Sequence, residues 1–120
     1  MTGPSHRVLS ESEVLSRLKS RRGQPGYLAM FSSWLGGVIT DPALMQIPLD
    51  DHLVHRGHGV FDTCTLSGGN LYRLGVHMDR LLTSAALARI EHSWTKEDLI
   101  QMVMDTASHA RVKDGAVRYW

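Results

Sequence analysis

The stretch GVFDTCTLSGGNLYRLGVHMDRLLTSAALARI, residues 59–90, carries the pattern that decides the fold. In GVFDTCTL, Val60, Asp62, Cys64 and Leu66 share one face of an extended strand, while Phe61, Thr63 and Thr65 share the other. LYRL provides a returning strand, and SGGN, residues 67–70, predicts a four-residue hairpin loop with two glycines. The period then changes. In VHMDRLLTSAALARI, Met78, Leu81, Leu82 and Ala85 line one face of a helix. His77, Arg80 and Ser84 form a second, polar stripe at i, i+3 and i+7.

Toward the carboxyl end, SWTKEDLIQMVMDTASHA predicts another helix. Thr95 is its N-cap, with Asp98 three residues on, and Leu99, Met102, Val103 and Thr106 form its buried stripe. AVRYW after VKDG reads as the start of a strand without its own turn and partner, hence as a truncated end. Toward the amino end, Ser10 and Glu13 form a capping box before a helix striped by Val14, Leu15 and Leu18. Gly23, Pro25 and Gly26 then break the chain. YLAMFSSW and VIT flank a glycine pair and predict a hairpin, and DPALMQIPLD is irregular because Pro42 and Pro48 interrupt it. Strands and helices are segregated along the chain, which points to an α+β class with an antiparallel sheet and helices packed on it, rather than an alternating parallel sheet.

The 120 residues predict one domain or one piece of a larger protein, long enough to bury a core. Thirteen Lys and Arg against twelve Asp and Glu leave a net charge of +1 and no electrostatic reason for a nucleic-acid or anionic-membrane partner. No apolar run approaches the ~20 residues of a membrane span. Cys64 is the only cysteine, which excludes an intrachain disulfide and suits a reducing compartment. The opening MTGPSHRVLSESE has no apolar signal core and two early Glu, so it reads as neither a secretory signal nor a transit peptide.

DDHLVHRGHG, residues 50–59, sets His52, His55 and His58 three apart. On an α-helix each step drifts by about 60°, so the outer two diverge. On a strand His55 points away from the other two, and only a 3₁₀ helix, uncommon beyond a turn, aligns all three. Loop histidines, partly exposed or donating to backbone carbonyls, are the simpler reading, and no metal ligand is assigned. Gly57 and Gly59 permit close approach by a ligand or a neighbouring segment, or mark a tight turn. Arg80 has two readings as well: part of a solvated polar face, or the guanidinium fork of an anion pocket at the edge formed by Gly59 and Phe61.

Taken together, Gly59-Val60-Phe61-Asp62, the hairpin and His77-Met78-Asp79-Arg80-Leu81 resemble the amino-terminal domain of the class IV, or fold-type IV, pyridoxal-phosphate aminotransferases. The RGHGVFDT form and the GAVRYW ending are most similar to the plant-type D-amino-acid transaminase and aminodeoxychorismate lyase branch. The resemblance covers roughly residues 27 to 120. It implies a small two-layer domain there, with residues 1–26 as a helical extension. It implies pyridoxal 5′-phosphate as cofactor, amino acid and 2-oxo acid as substrates, and a homodimer at full length. Arg80 matches the arginine that binds the cofactor phosphate. Phe61 and Arg118 match substrate-side positions. Phe61 stands where a tyrosine helps hold the substrate carboxylate in bacterial D-amino-acid transaminases. Phenylalanine cannot donate that bond. Ala116 stands where branched-chain enzymes carry a tyrosine two residues before the arginine.

The chemistry also needs a Schiff-base lysine. Lys19, Lys96 and Lys113, the three lysines here, occupy polar helical or loop contexts that would not desolvate an amine. The resemblance therefore implies that the lysine belongs to a second domain, that this chain alone is inactive, and that it exposes the face meeting that domain and associates. Cytoplasmic placement is expected, or a plastid where a transit peptide is missing from this chain. A lyase releasing pyruvate from aminodeoxychorismate is the nearest alternative. A histidine-rich metal-binding or interaction module is the alternative from another class.

Overall fold

A computed structural model of the protein describes residues 3–22 and 26–120. In chain order it contains helix α1 (Glu11–Lys19), strands β1 (Met30–Ser32) and β2 (Gly37–Ile39) and a 3₁₀ turn (Pro42–Leu44). There follow the short helix α2 (His52–His55), strands β3 (Asp62–Ser67) and β4 (Asn70–Leu71), helices α3 (Leu74–Leu87) and α4 (Lys96–Ala110), and strand β5 (Gly115–Tyr119). The α+β class expected from the sequence is the one observed. Both sheets are antiparallel: the β1–β2 hairpin, and a three-stranded sheet in the order β4-β3-β5.

The alternation in β3 survives intact. Cys64 and Leu66 are buried, and Thr63, Thr65 and Ser67 are exposed. The hairpin loop is tighter than the four-residue reading, because Ser67 pairs with Asn70 and only Gly68 and Gly69 remain between them. Their φ angles of 55° and 81° are what a primed two-residue turn requires at both centres, and glycine reaches them without strain. β4 is short because Arg73 turns left-handed, at φ 52°, and α3 begins at Leu74, two residues ahead of the helix expected from Val76.

Helix α3 buries Met78 and Ala85 and half-buries Leu81 and Leu82. In α4 Val103 is buried, with Leu99, Met102 and Thr106 half-buried beside it. Its capping box forms as expected. The Asp98 backbone N–H donates to Thr95 Oγ1 at 3.1 Å, and the Thr95 N–H donates to Asp98 Oδ2 at 2.8 Å. Thr95→Ala should cost about 1 kcal/mol. A urea titration would read this as a lower midpoint at unchanged slope, with Thr95→Ser restoring it; an unmoved midpoint would show that the cap contributes nothing.

α3 packs on β3 and on α4, and α4 packs on the β1–β2 hairpin. Helix α3 thus covers one face of the three-stranded sheet, and α4 lies between α3 and the β1–β2 hairpin. The expectation that the last strand lacks a partner is corrected here: β5 runs antiparallel to β3 over five pairs, from Leu66↔Gly115 to Asp62↔Tyr119. The α3–α4 pair carries the chain back to the free edge of β3, so the partner lies far upstream in sequence.

The core is smaller than the chain length predicts. Its buried apolar residues among those described are Ala43, Cys64, Leu66, Met78, Ala85 and Val103. The radius of gyration is 17.3 Å, against about 14 Å for a compact domain of this length. The shape is a slab 57 × 34 × 20 Å, two layers thick. The other face of the sheet is bare, with Phe61 and Trp120 61% and 57% exposed.

Helix α1 carries its capping box at Ser10 and Glu13. Val14 and Leu15 of its predicted stripe are exposed, and only Leu18 is half-buried. It lies beside the 3₁₀ turn, tied to the body by Arg22 and Asp41 at 2.9 Å. The predicted break falls partly outside the described residues, at Gly23 and Pro25. Among the described residues no helix is long and apolar enough to cross a membrane.

Candidate functional site

Asp62 opens β3 on the helix-covered side of the sheet, so a carboxylate sits at the border of the core. A charge there needs partners, and it has them. The Thr63 N–H donates to Oδ1 at 2.8 Å, and His77 Nδ1 donates to Oδ2 at 3.1 Å. Arg80 Nε stands 3.7 Å from the same Oδ2. Burial pushes the Asp62 carboxyl up, but the Thr63 N–H, the His77 hydrogen bond and the Arg80 charge outweigh it and hold the group below its ordinary value. Asp62 is therefore a carboxylate at neutral pH. The polar stripe of α3 delivers this arrangement, because His77 and Arg80 are three residues apart and face the same side of the helix.

The three partners differ in exposure. The side chains of Asp62 and His77 are 15% and 18% exposed, whereas Arg80 is 66% exposed. Arg80 thus turns Nε toward the carboxylate, with most of its side chain open to solvent. Tyr119 pairs with Asp62 across β3 and β5, and its hydroxyl is buried without a hydrogen-bond partner among the described residues. Burial, and then the Asp62 charge, push this phenol well above its ordinary range, so it remains a protonated donor.

The other two expected residues meet on the bare face. Thr63 pairs with Arg118, which places Arg118 on the side of the sheet shared by Thr63 and Phe61. The Arg118 guanidinium lies over the Phe61 ring, 4.4 Å from its centroid. Such a contact contributes roughly 0.5–1 kcal/mol at an exposed position. Phe61 and Arg118 are thus brought together, and Arg80 stands on the opposite side of the strand. Arg80 meets Asp62, the neighbour of Phe61, a pairing not expected from the sequence. His77 and Tyr119 are likewise members of the cluster that sequence reasoning misses. The signal for Asp62 and His77 is nevertheless present: an acid in the core-facing register of a strand, followed by two bases on one helical stripe.

The close approach at Gly59 comes from the chain itself, since a Cβ there would lie 2.5 Å from Leu53 Cδ1 of α2. Gly57, at φ 61°, folds the chain back so that the His58 N–H donates to the His52 carbonyl at 3.0 Å. The His58 ring Nε2 donates to the Ala88 carbonyl at 2.7 Å, satisfying an end carbonyl of α3. His52 lies 6.0 Å from it, ring to ring. Among the described residues no group of three or more His, Cys, Asp or Glu side chains converges. Lys96 is paired with Asp79 at 2.8 Å, and Lys19 and Lys113 are exposed.

The family described as amino-transferase class IV matches residues 59–120, from the segment before β3 through β5. Over 113 residues, 94% of this chain, the sequence is 50% identical to a chloroplastic D-amino-acid transaminase of Arabidopsis thaliana. Over 85 residues, 71% of the chain, it is 31% identical to a putative branched-chain-amino-acid aminotransferase of Methanocaldococcus jannaschii. The chain spans about 30% of the length of each of these relatives. The match to the family runs through the whole of the Asp62, His77, Arg80 and Tyr119 cluster and through Phe61 and Arg118, and the chain belongs to the class IV aminotransferases.

Proposed function

We propose that the full-length protein carrying this chain is a pyridoxal-phosphate aminotransferase that moves an amino group between an amino acid, D-amino or branched-chain, and a 2-oxo acid. The observation that carries this reading is the exposed guanidinium of Arg80, with its Nε 3.7 Å from an Asp62 carboxylate oxygen, in a chain of this family. The names of both relatives support the reaction class.

The described residues fit the phosphate end of the cofactor. A phosphate favours a guanidinium fork, which offers donors in the plane of its oxygens. Arg80 has that fork available on its solvent side, and the competing charge of Asp62 is already engaged by His77 and Thr63. The unpartnered Tyr119 hydroxyl is a further donor beside the same strand end. In this reading none of the three lysines here is the reactive amine, which is supported by the ion pair of Lys96 with Asp79 and the exposure of Lys19 and Lys113. When bound, the cofactor supplies the electron sink of the reaction. Arg80 would bind and orient its phosphate. Phe61 would form an apolar wall and Arg118 a cation on the substrate side.

In this reading residues 27–120 are the small domain, and a second domain contributes the lysine. The bare sheet face is consistent with a further layer, and the greater length of the relatives supports one. The homodimer belongs to the same proposal, as does a cytoplasmic or plastid location, the latter supported by the chloroplastic relative.

The test is borohydride reduction of the full-length protein with pyridoxal phosphate, followed by peptide mapping. One modified lysine outside residues 1–120 is expected, together with D-alanine or branched-chain transamination. A label on Lys19, Lys96 or Lys113 would overturn the assignment of parts, and 4-aminobenzoate release without transamination would move the protein to the lyase reading.

A further inference from the structure

The cluster contains more than an anion binder. Arg80 has its Nε drawn to a carboxylate that is itself fixed from two other directions, by the Thr63 N–H and by His77. A guanidinium whose Nε faces a carboxylate, here as an ion pair at 3.7 Å and not a hydrogen bond, keeps its two terminal nitrogens on the far side, free to form a parallel pair of bonds to one anion. An arginine side chain without that anchor samples many rotamers, and ordering it on binding costs roughly 0.5–1.5 kcal/mol for a rotamer-rich side chain.

We propose that Asp62, clamped by His77, is the positioning residue that aims the terminal nitrogens of Arg80 outward at the cofactor phosphate. This rests on the phosphate-binding reading of Arg80 given above. Asp62 itself would not touch the cofactor. Its carboxylate form, which its surroundings favour, is the one that can hold Arg80.

Charge and orientation make opposite predictions here. A negative charge close to a phosphate repels it, so neutralising Asp62 would tighten binding if charge alone mattered. If Asp62 acts by aiming Arg80, the same change loosens binding. The Asp62 carboxylate is already matched by His77 and Thr63 and lies on the Nε side, so orientation should prevail.

The experiment is titration of the full-length apoprotein with pyridoxal 5′-phosphate and, separately, with pyridoxal, which lacks the phosphate, followed by absorbance. The readout is the ratio of the two affinities. Asp62→Asn should lower that ratio by about threefold to tenfold, the size of the ordering cost of one rotamer-rich side chain, with pyridoxal affinity unchanged. Asp62→Glu should recover part of it, and His77→Gln, which weakens the clamp but keeps a donor, should lower it about threefold. A ratio that stays at the wild-type value or rises in Asp62→Asn overturns the proposal. If that variant does not fold, His77→Gln decides in its place, and a ratio at or above wild type there overturns the proposal equally. Arg80→Ala separates the two readings: a ratio that falls there but not in the Asp62 and His77 variants removes the positioning role alone. A ratio unmoved by Arg80→Ala removes the phosphate site itself.

Discussion

Arg80→Ala in the full-length protein is expected to weaken pyridoxal-phosphate binding by about a hundredfold or more. Two charge-assisted hydrogen bonds from one guanidinium are worth roughly 1.5–3 kcal/mol each, and about 1.4 kcal/mol is a factor of ten. Solvent screening reduces this where the site stays open, since Arg80 is 66% exposed here. The hundredfold figure is therefore the low end of the sum. Arg80→Lys should retain the charge and lose the fork, leaving an affinity about tenfold below wild type. Stability should hardly change, because an exposed substitution away from the core usually moves it by less than about 0.5 kcal/mol. Equilibrium dialysis with a parallel melting curve checks both halves. An alanine variant that binds within about threefold of wild type would leave the site without its phosphate anchor.

How much of this was legible depended on how local each signal is. The β3–β4 hairpin, the face of α3 and the Thr95–Asp98 cap were readable because each is decided within a few residues, by alternation, a glycine pair or a capping spacing. Burial was not readable in α1. Its Val14 and Leu15 have helical spacing, yet spacing says nothing about whether another layer lies opposite, and here they are exposed. The β5 partner was hidden for a different reason. AVRYW looks like a strand from its residues, but its pairing depends on where α3 and α4 return the chain.

The same division runs through the site. Asp62 in the core-facing register and the His77–Arg80 stripe were both visible separately. Joining them required the setting of α3 over β3, which the short Tyr72–Arg73 link fixes, with Arg73 left-handed. Tyr119 stayed hidden because its position beside Asp62 follows from the β3–β5 register. Phe61 and Arg118 came from family resemblance one at a time. Their contact follows only once Thr63 is known to pair with Arg118.

The core that holds this arrangement gives the second large effect. Met78 is fully buried and is one of the largest side chains so enclosed. It follows His77 directly and lies on the buried face of α3, the helix that packs on β3. Met78→Ala should therefore destabilise the protein by about 2–5 kcal/mol, through lost burial and the cavity left behind. That is a large share of the roughly 5–15 kcal/mol that keeps a typical domain folded. Met78→Leu, nearly equal in volume, should cost less than about 1.5 kcal/mol. Leu87→Ala on the same helix, 82% exposed, should cost less than about 0.5 kcal/mol and serves as the control. Urea unfolding of the full-length variants measures all three. The cofactor titration adds a second reading, because a helix that settles into the cavity carries His77 and Arg80 with it. Met78→Ala should then lower the ratio of pyridoxal-phosphate to pyridoxal affinity, even at temperatures where the variant stays folded. A variant with wild-type unfolding and a wild-type ratio would mean that the α3–β3 contact does not hold the guanidinium in place.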